Sequence, residues 1–217
     1  MHHSVFPRRK GVSMRKNQTR QTKGKIIAAA WQLFYDQGYE NTTVDEIIAA
    51  SGTSKGSFYH YFKGKDALLN TLAYLFDEKY EELIPTMDEK MSSYQKLLYL
   101  NNELFSMIEN SISIDLLARL LSSQLITRDE KSLLDRNRLY YRLLSRIILE
   151  GQQKNELRSD LSVSEIVKAY AICERAFMYD WCISGGEYSL RSYSQRLLPI
   201  FLSDFQLHRS DLQTPAD

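Results

Sequence analysis

The 217-residue chain is long enough for one sizeable domain or two small ones, and its 43% apolar and 25% charged residues exclude general disorder. No apolar run approaches the roughly 18 residues that span a bilayer, and the basic N-terminus lacks the apolar stretch of a secretory signal, so no membrane association is expected. A net charge of +1 hides an asymmetry: residues 1–65 hold 11 Lys/Arg against four Asp/Glu, and the remainder hold 17 against 23.

Residues 1–21 read as a flexible basic arm, with Pro7, Gly11 and no apolar period. From Lys23 a helical period begins, with Ile27, Ala30, Trp31 and Phe34 forming one stripe and Gly38 placed to stop the helix. Thr43-Val44-Asp45-Glu46 has the form of a capping box, and Val44, Ile47 and Ile48 supply the inner face of a short helix. Ser51-Gly52-Thr53 is the turn that follows. Ser54 can cap the next helix, on which Phe58 and Phe62 fall i,i+4 on the buried side. Lys63-Gly64-Lys65 breaks that helix, and the period of Leu68, Leu69, Leu72, Leu75 and Phe76 predicts one helix over 66–84.

Beyond Pro85 the periodicity predicts helices near 91–109, 113–125, 129–153, 163–184 and 189–207, with a tail over 211–217. No hairpin signal or strand-length alternation appears, so the fold class is all-α. Cys173 and Cys182 cannot form a disulfide framework, which fits a reducing cytoplasm. Nine residues apart on one predicted helix, at about 100° per residue, they face opposite sides and do not share a metal. The four histidines lie at positions 2, 3, 60 and 208 and form no ligand set. No phosphate loop, nucleophile elbow or His-Glu-x-x-His string occurs, so neither catalytic residues, metal nor cofactor are expected.

Residues 43–62 therefore form two short helices across a tight turn, a helix-turn-helix pattern whose first member braces the second. With Phe58 and Phe62 inward, Lys55, Ser57, Tyr59, His60 and Tyr61 are left on the outer and flanking surfaces. A cation, hydroxyls and aromatic edges suit phosphate oxygens, base edges and thymine methyls. The bland reading of the same surface is a solvated helical hairpin.

The string Thr42-Thr43-Val44-Asp45-Glu46-Ile47-Ile48-Ala49-Ala50-Ser51-Gly52-Thr53-Ser54-Lys55-Gly56-Ser57-Phe58-Tyr59-His60-Tyr61-Phe62, continued through Lys65 to Leu69, closely resembles the DNA-binding signature of the TetR/AcrR family. The resemblance covers about residues 22–70. It implies an N-terminal three-helix DNA-binding domain over 22–65 and a larger helical effector-binding and dimerisation domain over 66–210. It also implies operator contacts by Ser54, Lys55, Ser57, Tyr59, His60 and Tyr61, with Thr43 and Lys65 near phosphates.

The expected partners are double-stranded operator DNA, a second copy of the chain and a small, apolar or aromatic effector. For the effector pocket the sequence offers Tyr80, Tyr99, Phe105, Met107, Tyr140 and Tyr141. For the dimer interface it offers Phe177, Trp181, Leu190, Leu197, Leu198 and Phe201, and each of these residues could equally belong to the subunit's own core. The function so implied is a homodimeric repressor released from a palindrome by its effector. The alternative is a DNA-binding dimer without a small-molecule effector, acting as an activator or controlled by a protein partner.

Overall fold

A computed structural model describes residues 11–127 and 131–207, and every regular element among them is helical. The chain divides into two compact units, the first reaching to Leu69 and the second starting at Asn70.

The first unit consists of α1 (Gly11–Gln37), α2 (Val44–Ser51), α3 (Lys55–Tyr61) and the single turn α4 (Asp66–Leu69). Ile26, Ala30 and Phe34 repeat every fourth residue on α1 and are fully buried with Ile47, Phe58, Phe62 and Leu68. Ala30 and Phe34 thus lie inward as expected, Ile26 takes the buried place given to Ile27, and Ile27 and Trp31 are half-buried flanks. Three- and four-residue spacings leave that register open until a second helix packs on it. The arm expected over 1–21 is also corrected. Helix α1 already runs from Gly11, through a stretch rich in Arg, Lys and Gln with no proline, and residues 1–10 lie outside the described residues.

The second unit holds α5 (Leu72–Leu83), α6 (Ser93–Ser111), α7 (Ile114–Ile126), α8 (Leu139–Gln153), α9 (Val163–Ile183) and α10 (Leu190–Leu202). Serine caps start α6, α7, α9 and α10. At α6 and α9 the Ser92/Gln95 and Ser162/Glu165 pairs form reciprocal capping boxes. Helix α9 ends in left-handed Gly185 and Gly186, whose N–H groups return to Cys182 and Trp181 carbonyls. Gly151 has a steric reason: a Cβ there would stand 2.7 Å from both Leu157 and Ser93. Leu97, Leu100, Phe105, Ile148, Tyr170 and Leu190 are among the side chains that close the core.

Three predicted boundaries move. Helical bonding lapses at Asn70-Thr71, so the helix expected over 66–84 is α4 plus α5. At the lapse the Asn70 carboxamide oxygen accepts from Gln124 Nε2 (2.8 Å), a tertiary bond that periodicity does not register. The helix expected from 129 begins only at Leu139. Before it, Arg138 is extended and buried, donating to both Asp77 carboxylate oxygens (2.8 and 3.1 Å) and to the Ala73 carbonyl. The last helix stops at Leu202 rather than 207. The following turn pairs with 156–158, where Arg158 N donates to Phe205 O (2.9 Å). The tail over 211–217 lies outside the described residues.

Candidate nucleic-acid interface and effector cavity

The helix-turn-helix is fixed by short-range bonds. Thr43 Oγ1 accepts from Glu46 N (3.2 Å) while Thr43 N donates to Glu46 Oε2 (2.7 Å), which closes the predicted capping box. The backbone and hydroxyl donors of Thr43 hold the Glu46 carboxyl below its ordinary range. Gly52 adopts φ 61° and ψ 30°, a left-handed conformation that is cheap for glycine, and its N–H returns to α2. Ser54 then caps α3 by accepting from Ser57 N (3.1 Å), and the two serine hydroxyls lie 2.9 Å apart.

This scaffold leaves a polar face. On α3, Phe58 is wholly buried, whereas Lys55, Tyr59 and His60 are exposed and Ser57 and Tyr61 half-buried. Ser54 and Thr43 are exposed beside them. The rings of His60 and Tyr61 meet edge-on at 4.8 Å, and Tyr59 packs edge-on against Phe58 at 5.3 Å. Lys55 makes only an exposed 3.4 Å ion pair with Asp45, worth little in water and readily exchanged for a phosphate. α3 is seven residues long, about 10 Å, which is a major-groove probe's length.

Lys65 is placed differently from the other expected contacts. Its ammonium donates to the carbonyls of Tyr39 (2.9 Å), Thr42 (3.1 Å) and Glu40 (3.3 Å) and lies 4.4 Å from the Tyr39 ring centroid. All three donors are spent within the unit, so Lys65 pins the α1–α2 loop. Sequence spacing gave no sign of this, because the bonded residues lie 23 to 26 positions away.

Residues 26–72 match the family described as bacterial regulatory proteins, tetR family. That stretch carries the family's DNA-binding domain. The chain is 25% identical over 183 residues to the fatty acid metabolism regulator protein of Bacillus subtilis, covering 82% of this chain and 93% of that one. Among solved structures, FadR from Bacillus subtilis in complex with stearoyl-CoA superposes with a TM-score of 0.64 at 23% identity, over 86% of this chain and all of that one. FadR from Thermus thermophilus in complex with lauroyl-CoA gives 0.68 at 20% identity, over 90% of this chain and all of that one. The fold shared with these structures thus extends beyond the DNA-binding unit, and over its length the chain is similar to transcriptional regulators.

Two hollows of the second unit bear on an effector pocket. One is an internal cavity of about 30 Å³, lined in part by Phe76, Tyr80, Tyr140, Glu174 and Met178. Glu174 is 2% exposed; Tyr140 OH (2.6 Å) and Asn101 Nδ2 (3.0 Å) donate to its carboxylate, and burial raises its pKa. The Tyr80 hydroxyl is buried there without a hydrogen-bond partner, its ring 5.4 Å from that of Tyr140. The other hollow is an open groove of about 590 Å³ between α8 and α9, to which Tyr141 contributes. Ala171 and Arg175 line both hollows.

The sequence-predicted pocket residues are therefore dispersed. Tyr80 and Tyr140 share the internal cavity and Tyr141 lines the groove. Tyr99 is half-buried and lines a separate hollow of about 360 Å³ with Asn101, Asn102 and Leu198, within bonding distance of Thr86 Oγ1 (3.2 Å). Phe105 is core, edge-on to Phe177 at 6.2 Å, and Met107 is half-buried. Of the residues expected at a dimer interface, Phe177, Trp181, Leu190 and Leu198 are buried within their own subunit, Leu197 is half-buried and Phe201 is 56% exposed. Sequence reading passed over Ile172, Tyr179, Ile183 and Ile200, which are large, apolar and exposed. The signal was available as a second stripe on α9, at 169, 172, 176, 179 and 183, alternating three- and four-residue steps.

Proposed function

We propose that this chain is a repressor that binds a palindromic operator as a homodimer and is released by a small-molecule effector held in its second unit. The exposed polar face of α3, braced by α2, carries the DNA-binding part of the reading. Lys55, Thr43, Ser54 and Ser57 supply phosphate contacts, and Tyr59, His60 and Tyr61 reach base edges. Pairing through Ile172, Tyr179 and Ile183 of α9, with Ile200 and Phe201 of α10, would bury an apolar seam that a monomer leaves in water. Two heads so joined suit half-sites about one helical turn apart.

The effector class best supported is an acyl thioester of coenzyme A, because both FadR structures that share the fold hold one. Phe76 and Tyr80 place α5 on the cavity wall, and the Arg138–Asp77 pair ties α5 to the start of α8. Ligand entering between these helices displaces α5, which continues through the Asn70-Thr71 break into α4. Moving the population from mostly bound to mostly free takes about 5.5 kcal/mol of differential affinity.

The small internal cavity favours a second reading, a DNA-binding dimer controlled without such a ligand, since about 30 Å³ admits little more than water. Fluorescence anisotropy on an operator selected from a random duplex pool separates the two. Lauroyl-CoA releases the complex under the first reading and leaves it intact under the second. Only cations release counterions, so Lys55 alone predicts a log–log salt slope of about −2 for the dimer, made steeper by about 2 for each further Lys or Arg per head that meets a phosphate; an operator affinity independent of salt contradicts these contacts.

A further inference from the structure

The groove between α8 and α9 has a charge that its surroundings do not explain. Arg136, Arg142, Lys168 and Arg175 line it, and no carboxylate does. Residues 66–217 carry a net acidic charge, so four cations on one wall are unexpected there. Elsewhere in the second unit, Arg119, Arg138, Lys96, Lys154 and Arg158 each sit against an acid. Among the described residues, none of the four groove cations forms an ion pair within 4.0 Å, and the one acid whose charge interacts with them is the buried Glu174, beside Arg175. Their arrangement is periodic: Ser164, Lys168, Ala171 and Arg175 form one stripe of α9, and Arg142 and Ser145 lie one turn apart on α8. Like charges so grouped repel one another until an anion joins them.

The hollow also has the dimensions of a ligand site. Its 590 Å³ falls within the roughly 300–1,000 Å³ usual for small-molecule pockets, which the internal cavity does not approach. Leu134, Tyr141 and Val167 add an apolar and aromatic lining. Ala171 and Arg175, shared with the cavity, mark where the groove leads inward past the smallest side chain on that stripe.

We infer that this groove binds the phosphate-bearing part of a small organic ligand, with Arg136, Arg142, Lys168 and Arg175 gripping the phosphates and the apolar remainder passing Ala171 toward Tyr80. Guanidinium groups bind phosphate by paired, charge-assisted hydrogen bonds, and three of the four cations are arginines. The inference rests on the effector reading above, to which it adds a location and a charge requirement. It places the anionic head outside the core, so only the uncharged portion requires the interior of about 30 Å³ to widen, through the displacement of α5.

Isothermal titration of the full chain with coenzyme A, lauroyl-CoA, laurate and inorganic pyrophosphate tests it. The wild type is expected to bind coenzyme A and lauroyl-CoA with an affinity that falls as salt rises. The doubly substituted R142Q/K168Q chain should lose about 100-fold, tenfold for each charge removed, while laurate binding stays within twofold. Arg146→Gln, on the same helix outside the groove, controls for net charge and should leave coenzyme A binding within twofold. Equal coenzyme A affinity in wild type and R142Q/K168Q, or no binding of coenzyme A or pyrophosphate by the wild type, overturns the inference. So does a fall in ligand-free operator affinity for that variant, which would assign the groove to nucleic acid. Groove binding without operator release leaves this inference standing and sinks the effector reading. Release by laurate alone, with no coenzyme A binding, does the reverse.

Discussion

The two units are held by bonds of different reach. In the DNA-reading unit the contacts that shape the reading helices are local, Thr43 with Glu46, Gly52 with α2 and Ser54 with Ser57, and the Lys65 bonds reach at most 26 positions. In the second unit they span the chain, with Arg138 bonded to Asp77 across 61 positions and Asn101 to Glu174 across 73. A locally encoded head presents one fixed face, as a reader of base edges requires. A body held by distant polar pairs can be rearranged by anything that competes for those pairs.

The largest effect should come from breaking a distant pair. Asp77→Ala strands the Arg138 guanidinium, which is 5% exposed, and should cost about 3–5 kcal/mol. Thermal unfolding checks this, and a loss under about 1 kcal/mol would mean the pair is not holding α5 to α8. Next comes Lys65→Met, which removes three internal bonds and should lower stability by about 1–3 kcal/mol. Its signature is that the salt slope of operator binding remains that of the wild type. A slope shallower by about two in the dimer would instead return Lys65 to the phosphates.

Thr43→Ala, a local cap, should cost about 1 kcal/mol. The smallest effect on stability belongs to Lys55→Ala, below about 1 kcal/mol, since its ion pair is exposed. It should nevertheless make the dimer's salt slope shallower by about two. Lys55 and Lys65 thereby sharpen the comparison, one cation working outward and the other inward.

A pH prediction bears on the body alone. Burial raises the Glu174 pKa above the ordinary 4.5, so the folded state binds this proton more tightly than the unfolded chain. Its contribution is full below the unfolded value and is lost as pH rises through the folded one. Glu174→Gln should therefore gain stability relative to wild type as pH rises above about 4.5, measured as the gap between the two unfolding curves. A pH-independent gap would mean that the carboxyl titrates as it does in the unfolded chain.

Legibility followed the same division. The capping box at Thr43, the Gly52 turn and the inward Phe58 and Phe62 were readable, because each is set by neighbours within a few residues. Lys65 was not, since a lysine after a helix break carries no mark of which carbonyls it will meet. The lapse at Asn70 and the late start of α8 escaped periodicity because Gln124 and Asp77 override helical propensity from far along the chain. Four of the residues offered for a dimer interface, Phe177, Trp181, Leu190 and Leu198, pack inside their own subunit for another reason. Phe177 and Ile172 are equally apolar, and only packing decides which faces inward. The basic groove was invisible because its cations come from two helices and the turn before them, scattered among acids in an acidic segment.

On the proposed reading, the outward face of α3 recognises a two-fold DNA sequence. Selection of duplexes from a random pool by the purified full chain, at 0.15 M salt against excess genomic competitor, tests it most directly. An enriched inverted repeat with half-sites about one helical turn apart, lost with Tyr59→Ala, is the predicted result. An unenriched pool, or enrichment that Tyr59→Ala leaves unchanged, would contradict it.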